Sequence, residues 1–465
     1  MSDQRARPRP YRAGAAGCAA LSAFALLVPL VGCAPRTSPS ARFPDVQRML
    51  DARARAVRAR DEAGFLAAVD PRASGYLARQ RSTFANLADV PLADWRYDLD
   101  STGAFPLPDS GTGERLAAKV RLRYRLKGYD TAPVKAVQYL TLVERDGRWL
   151  ISSDSDGAPA GRSGTRQLWD QGPVRLVQGR HSLVLGSPAH LARLKDLARR
   201  ADQAVPAVSA VWKDAWARKV VVEAPDSVER MAQLMGTDDP SAYTGIAAVT
   251  TGEAGATTTA PADRVIINPD AYEELNDLGR KVVLTHETTH VATRTATTLA
   301  TPLWLSEGFA DWVAYRGTHR KAATAAPELT RAVHSGKMPT RLPTDADFGF
   351  RAGADRLATA YEGAWLACRM IAERWGEAKL IAFYRAAGRS PQRASATGGA
   401  SAPMEAVTTL PTRARPASPA ARSRHLPPAR ADRTDRAMRS QLGIGLAEFT
   451  RKWRAYVRQL LGRRR

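Results

Sequence analysis

The feature that most constrains this chain is a pair of histidines four residues apart, in the segment KVVLTHETTHV at 281–291. On a helix, residues at this spacing lie on one face, so the imidazoles of His286 and His290 can reach one metal ion. Glu287 projects beside them, where a carboxylate can hold and deprotonate a water that zinc activates. The segment therefore predicts a zinc-binding helix. Two core histidines on an amphipathic helix would produce the same spacing.

The next helix supplies a third ligand. A catalytic zinc needs three protein ligands and one open position. Sixteen residues separate His290 from Glu307, which lies in the segment WLSEGFADW at 304–312. We expect Glu307 to be the third ligand. Asp311, one helical turn later, is predicted to hold the other ring nitrogen of His286 and fix its tautomer; a surface charge is the alternative for Asp311.

The phrase HExxH followed by W-L-x-E-G-x-A resembles the gluzincin metallopeptidases, which include thermolysin and the zinc aminopeptidases. It is most similar to the bacterial members called peptidase MA-like. The resemblance implies a thermolysin-like zincin domain, Zn²⁺ as cofactor and a peptide or protein as substrate. It also implies that Tyr361 donates a hydrogen bond to the developing oxyanion, although a packed helix tyrosine is equally compatible with its position. The chain has no G-x-M-E-N phrase, the segment that grips a free amino terminus in the aminopeptidases, which favours endopeptidase action or a specialised substrate.

The fold class that we predict is α+β throughout. Residues 43–155 begin with helical spacing and continue with alternating strands, including a hairpin turn at Asp146-Gly147. This layout resembles the small cone-shaped α+β domain of the nuclear-transport-factor-like proteins, and a spacer or dimerising module is its simplest role. A Gly/Ser-rich linker is expected at 156–179, followed by the zincin metallopeptidase domain at 180–389. Substrate is expected to add to an exposed strand edge at 245–249.

The N-terminus has the pattern of a targeting segment. Four arginines between Arg5 and Arg12 precede an apolar stretch that ends in Leu30-Val31-Gly32-Cys33. This ending resembles the lipobox of bacterial lipoproteins, in which the cysteine receives a lipid. We therefore predict a signal peptide at 1–33, lipidation of Cys33 and a tether at 34–42, which places the protein outside the cytoplasm on a membrane anchor. A plain signal peptide or an uncleaved helix is the alternative.

The positive charge is concentrated away from the predicted domains. The chain of 465 residues has a formal net charge of +23, of which 15 lie in residues 1–33, 390–439 and 440–465. It carries no RNA- or DNA-binding motif, so nucleic acid is not a predicted partner. Residues 390–439 are predicted to be a low-complexity disordered insertion. Residues 440–465 are predicted to add a C-terminal helix of the catalytic domain and a basic tail. The oligomeric state stays open.

These observations predict a zinc peptidase with Glu287 as general base. The alternative is a non-catalytic surface-binding lipoprotein that retains a zincin fold. A structural zinc site is a third reading, but such sites usually fill all four positions with Cys and His. The presence of Glu287 favours the peptidase over the other two hypotheses, because a protein that only binds needs no general base.

Overall fold

Two β-sheets and the helices around them make up the part of the chain that the computed structural model describes, residues 42–108, 113–251, 263–349, 353–389 and 430–462. The expected α+β class is confirmed. The predicted signal peptide with Cys33, and the tether up to residue 41, lie outside the described residues. The N-terminal elements are α1 (Pro44–Ala59), α2 (Glu62–Leu66), α3 (Ser74–Asn86), β1 (Leu92–Thr102), β2 (Arg115–Leu126), β3 (Val134–Arg145) and β4 (Arg148–Ser153).

The first sheet is an antiparallel meander with the strand order β1-β2-β3-β4. Along β2 the apolar residues Val120, Leu122 and Tyr124 are buried, while the arginines between them are partly exposed. This period of two follows from the pleat, which turns successive side chains to opposite faces. Asp146 and Gly147 both have positive φ in the β3–β4 turn, as a tight hairpin requires.

The second sheet has the order β5-β6-β7-β9-β8, with parallel pairing in its centre and antiparallel pairing at both ends. Within the described residues β8 has β9 as its single neighbour and so forms an edge. The elements of this region are α4 (Leu168–Gln171), β5 (Arg175–Gln178), β6 (Ser182–Gly186), α5 (Leu191–Val211), β7 (Val220–Ala224), α6 (Val228–Leu234), β8 (Ala248–Thr250), β9 (Val265–Ile267) and α7 (Pro269–Glu273).

Helices form the rest of the described chain. No helix in the described ranges is long and apolar enough to cross a membrane. These helices pack around one large hydrophobic core, which is centred on Trp304, Phe309, Tyr384 and Trp453. The helices are α8 (Asp277–Thr293), α9 (Leu303–Tyr315), α10 (Ala322–Ala325), α11 (Pro327–His334), α12 (Ala354–Trp375), α13 (Glu377–Gly388), α14 (Arg430–Leu442) and α15 (Leu446–Leu461).

The second sheet serves two cores, one on each face. Leu183, Val221 and Ile266 pack on the N-terminal layer, within the same core as Trp95 and Leu122. Their neighbours along the strands, among them Val184, Val222 and Val265, turn to the other face and pack on α5 and on α8, which contributes Leu284. Because the strands are apolar on both faces, the N-terminal layer shares its core with the second sheet.

Two of the expected boundaries differ from the structure. Within the predicted linker 156–179, Leu168 and Trp169 are buried in the first core, and β5 pairs with β6. The linker is therefore structured, because it carries apolar side chains that the Gly/Ser pattern does not reveal. Within the predicted insertion 390–439, residues from 430 onward form α14, which buries Ala437, Met438 and Leu442. Residues 390–429 lie outside the described ranges.

A buried ion-pair cluster also joins the first sheet to the second. Arg264, just before β9, donates two parallel hydrogen bonds to Asp130 in the β2–β3 connection, both at 2.8 Å. The two side chains are 4% and 2% exposed. Arg264 Nε lies 3.4 Å from Glu223 on β7. Burial raises the pKa of Glu223, and the Arg264 guanidinium opposes that rise.

We predict that Asp130→Ala lowers the free energy of unfolding by about 3–5 kcal/mol, because it leaves the buried Arg264 without its bidentate partner. The measurement is urea denaturation of the full chain. Asp98→Ala is the matched control: Asp98 pairs with Arg123 at 2.7 Å on the exposed face of the same sheet. That loss should be at most about 1 kcal/mol. Equal losses for the two variants would contradict the importance of burial.

Candidate metal centre

Helix α8 presents both histidines toward α9 and hides several threonines behind them. Asn276 caps the helix by accepting a hydrogen bond from the Gly279 N–H at 2.9 Å. Every buried threonine hydroxyl on α8 donates to the carbonyl four residues earlier, at 2.6–2.9 Å: Thr285, Thr288, Thr289 and Thr293. The polar helix is therefore buried without leaving these hydroxyls unpaired.

Three ligand-type atoms converge between α8 and α9. His290 Nε2 lies 3.0 Å from His286 Nε2. Glu307 Oε2 lies 3.2 Å from His286 Nε2 and 3.3 Å from His290 Nε2. Among the described residues, this trio is the group of His, Cys, Asp and Glu side chains with metal-ligand spacing. The structure thus brings together the two histidines and the glutamate that the sequence analysis selected.

The spacing of these atoms fits a tetrahedral zinc ion. Ligand atoms about 2.1 Å from such an ion lie roughly 3.4 Å from each other. The three separations between His286, His290 and Glu307 are close to that value. Two nitrogens and one carboxylate oxygen are also a donor set that zinc accepts, and three protein ligands leave a fourth position open.

Asp311 orients one of the histidines. Its Oδ1 lies 2.8 Å from Nδ1 of His286, on the side of the ring opposite to Glu307. Burial by itself lowers the pKa of His286, but the carboxylates of Asp311 and Glu307 outweigh it and hold that pKa well above its ordinary value. Burial raises the pKa of Glu307, and the two imidazoles reverse this and hold it well below its usual range.

Glu287 is held by a residue just beyond the strand edge 245–249 that the sequence predicted. Thr250, the last residue of β8, donates its hydroxyl to Glu287 Oε2 at 2.5 Å. The same hydroxyl lies 3.2 Å from the Glu287 carbonyl. Nothing in the sequence around Thr250 marks it as a site residue, because its partner lies 37 positions away and only the sheet edge brings them together.

Tyr361 reaches the site from α12. Its ring lies 6.3 Å from the His286 ring and packs edge-on against Phe348 at 5.2 Å. Burial and the nearby carboxylate of Glu307 raise the pKa of Tyr361 well above its ordinary value. The phenol is therefore neutral and available as a donor.

A cleft of about 780 Å³ opens along the edge of β8. Its walls come from the segment 244–248, from α8 and from α12, with His286, Glu287 and Tyr361 along one side. Glu362 also lines the cleft, where its carboxylate accepts hydrogen bonds from the Glu328 and Leu329 N–H groups at the start of α11. Burial raises the pKa of Glu362 to about 7. The sequence analysis missed Glu362.

Close packing at Gly308 sets the distance between α9 and α12. A Cβ at this position would lie 2.3 Å from the carbonyl oxygen of Ala364. Gly308 follows Glu307, and Ala364 lies one helical turn after Tyr361. A glycine at this one position thus allows the helices that carry Glu307 and Tyr361 to approach each other.

We predict that Gly308→Ala lowers the free energy of unfolding by about 1–3 kcal/mol, because the added methyl group forces α9 and α12 apart. Urea denaturation measures the change. Gly363→Ala on α12 is the matched control, since its Cβ would approach a side-chain atom of Trp453 to 3.3 Å and no backbone atom. Its loss should be smaller; an equal or larger loss would contradict the role given to Gly308.

Comparison with known proteins gives no information about this metal centre. No protein-family model matches the chain, and no curated protein is detectably similar to it. The chemistry of the site therefore follows from its own residues and the distances between them.

Proposed function

We propose that the chain is a zinc-dependent peptidase. The observation that carries this proposal is the convergence of His286, His290 and Glu307 at tetrahedral spacing, with Glu287 beside them and an open cleft in front. A structural metal site would close its fourth position with another protein ligand. No further Cys, His, Asp or Glu of the described residues joins the trio, which supports a catalytic site.

Bound zinc would supply a Lewis acid that polarises the scissile carbonyl and lowers the pKa of water toward neutrality. Glu287 takes the proton of the attacking water and delivers it to the leaving amine. The hydrogen bond from Thr250 holds the Glu287 carboxylate in one orientation during this proton transfer. Asp311 accepts a hydrogen bond from His286 Nδ1 and so keeps Nε2 of that ring free to bind metal.

The edge strand β8 is the proposed binding site for substrate backbone. Ala247 O accepts from Asn268 N–H, and Thr251 N–H donates to Arg264 O. In an antiparallel ladder the residues between these pairs alternate in direction, so the backbone groups of Ala248 and Thr250 point away from β9. An extended peptide can pair with those groups and pass directly over Glu287.

The charged side chains that line the cleft favour cleavage within a peptide chain over cleavage next to its carboxyl terminus. Among the described residues that line it there is no Lys or Arg. A terminal carboxylate would therefore find no cation there, whereas carboxylate recognition commonly uses Arg. Together with the missing G-x-M-E-N phrase, this favours an endopeptidase.

We extend the proposal to fold and location. The second sheet with α8–α15 is proposed to be a thermolysin-like zincin domain of the gluzincin type. The three helices and four-stranded meander before it are proposed to be a cone-shaped, nuclear-transport-factor-like domain. The lipobox-like ending at Cys33 supports a lipid anchor on the outer face of a bacterial membrane, with a peptide or protein as the substrate.

We predict that Glu287→Gln lowers peptide cleavage by about 10²- to 10⁴-fold, because it removes the general base and leaves the ligands in place. Purified full-length wild type and variant are incubated with a mixed peptide library, and the products are identified by mass spectrometry. Zinc content, measured by elemental analysis, should be the same in both. Removing zinc with a chelator should stop cleavage, and adding zinc should restore it.

Three outcomes would count against the peptidase assignment. Cleavage that survives Glu287→Gln would reject Glu287 as the base. Cleavage that survives complete zinc removal would reject the metal. A zinc-loaded wild type that cuts no peptide in the library would favour the surface-binding lipoprotein instead.

We predict that Tyr361→Phe lowers kcat by about 10²- to 10³-fold with little change in KM, because the phenol donates to the oxyanion that forms only in the transition state. The kinetics are measured on the best library peptide. Tyr315→Phe is the matched control: Tyr315 also lines the cleft, but its ring packs on Trp365 at 5.0 Å. Similar losses in the two variants would show that Tyr361 acts through packing.

A further inference from the structure

Glu362 is a carboxylate in the cleft that the proposed peptidase chemistry does not use. It lies on α12 directly after Tyr361, and it lines the cleft of about 780 Å³ together with His286. Two further carboxylates line this cleft, those of Glu287 and Asp311. Both act at the metal centre, because Glu287 is the proposed base and Asp311 lies 2.8 Å from His286 Nδ1. Glu362 therefore remains as a carboxylate that can contact substrate.

The partners of Glu362 leave its negative charge without a matching cation. Its Oε1 accepts a hydrogen bond from the Glu328 N–H at 3.2 Å, and its Oε2 accepts one from the Leu329 N–H at 2.5 Å. These bonds cap the start of α11, and each oxygen keeps a second lone pair. Within the described residues no Lys, Arg or His forms an ion pair with Glu362, since Arg331 on α11 pairs with Glu328 instead.

The pKa of Glu362 reflects the same imbalance. Burial raises this pKa to about 7, because the two N–H groups and the charge of Arg331 offset only part of the cost of desolvation. A cation beside the carboxylate would lower the pKa again, because it favours the ionised form. By linkage, such a cation binds the ionised carboxylate more tightly than the protonated one. The position therefore favours a positively charged group of the substrate over a neutral one.

The residues around Glu362 suit the apolar stem of a basic side chain. Ala358 lies four residues earlier on the same helical face and lines the cleft, so the space beside the carboxylate contains only a methyl group there. Ala325 and Pro327 line the cleft just before the two N–H groups that Glu362 accepts. Lys and Arg bury their methylene stems along such apolar surface while the charged head reaches a polar partner. No Lys or Arg of the described chain lines the cleft to compete for Glu362.

We propose that Glu362 sets the specificity of the cleft by pairing with a lysine or arginine side chain of the peptide substrate. The stem of that side chain passes Ala358, and its charged head donates to the remaining lone pairs of the Glu362 carboxylate. The inference rests on the proposed peptidase function and deepens it, because it assigns a substrate class to the same cleft. The recognition depends on charge, so citrulline, a neutral side chain of nearly the same shape as arginine, should bind less tightly.

The test is calorimetric titration of the zinc-loaded, full-length Glu287→Gln variant with blocked heptapeptides of alanine and leucine. One position at a time carries arginine or citrulline, in a mildly alkaline buffer that ionises Glu362. We expect arginine to bind about ten- to hundredfold more tightly than citrulline at one position, as a charge-assisted hydrogen bond requires. Adding Glu362→Gln should bring this ratio to about one, since it removes the charge. Asp355→Asn, at an exposed position of the same helix outside the cleft, should keep the ratio.

A second variant keeps the test decisive if Glu362→Gln does not fold, since that change weakens the cap of α11. Ala358→Leu leaves the carboxylate and its two N–H partners in place and fills the space beside them, so the arginine-to-citrulline ratio should fall. The ratio is the readout because a purely structural role of Glu362 would weaken both peptides equally. An unchanged ratio in Glu362→Gln would overturn the proposal, as would an unchanged ratio in Ala358→Leu where Glu362→Gln cannot be measured.

Because the readout is binding, failure of this proposal is distinguishable from failure of the peptidase assignment. The absence of an arginine preference at every position, or of any measurable binding, would reject the role of Glu362. Zinc-dependent cleavage by the wild type in that case would leave the peptidase assignment in place. An arginine preference that Glu362→Gln abolishes, in a chain that cleaves no peptide, would support Glu362 as a binding residue and count against the peptidase.

Discussion

The interaction on which the rest of the structure depends is the mutual compensation of four ionisable side chains between α8 and α9. His286, His290, Glu307 and Asp311 are largely buried, and each alone would be costly to bury as a charge. Within this group each imidazole lies 2.8–3.3 Å from a carboxylate. Such spacing tolerates little movement of either helix. The dense aromatic core behind α9 holds the two helices at this distance.

The second sheet links that pair of helices to the remainder of the chain. Its edge strand brings Thr250 to Glu287. The segment before β9 brings Asp263 to Arg294, the residue that follows α8, at 3.1 Å. The opposite face of the sheet shares its core with the N-terminal layer. Strands that are apolar on both faces therefore make the N-terminal layer part of the body that positions the proposed catalytic groups.

The buried arginines show two ways in which this chain stabilises a buried positive charge. Arg264 lies between Asp130 and Glu223, which neutralise it and join the two sheets. Arg53 has backbone and amide acceptors, and a ring beneath it, but no carboxylate. The first arrangement is complete without a ligand and is structural. The second is stabilised by these hydrogen bonds and by the Phe65 ring, without an ion pair to a described residue.

The sequence by itself determined the elements whose physics is local. Spacing of four residues placed His286 and His290 on one helical face, alternation predicted β2, and Asp146-Gly147 predicted the hairpin, because helix and strand periodicity and turn geometry depend on near neighbours. Glu307, Asp311 and Tyr361 were selected by spacing and resemblance, and the structure places all three beside His286. Only the tertiary structure decided the partners of distant residues: Thr250 with Glu287, Asp130 with Arg264, and Trp169 within the first core. Those pairings depend on how sheets and helices pack, and packing is set by the whole core, which no local pattern encodes.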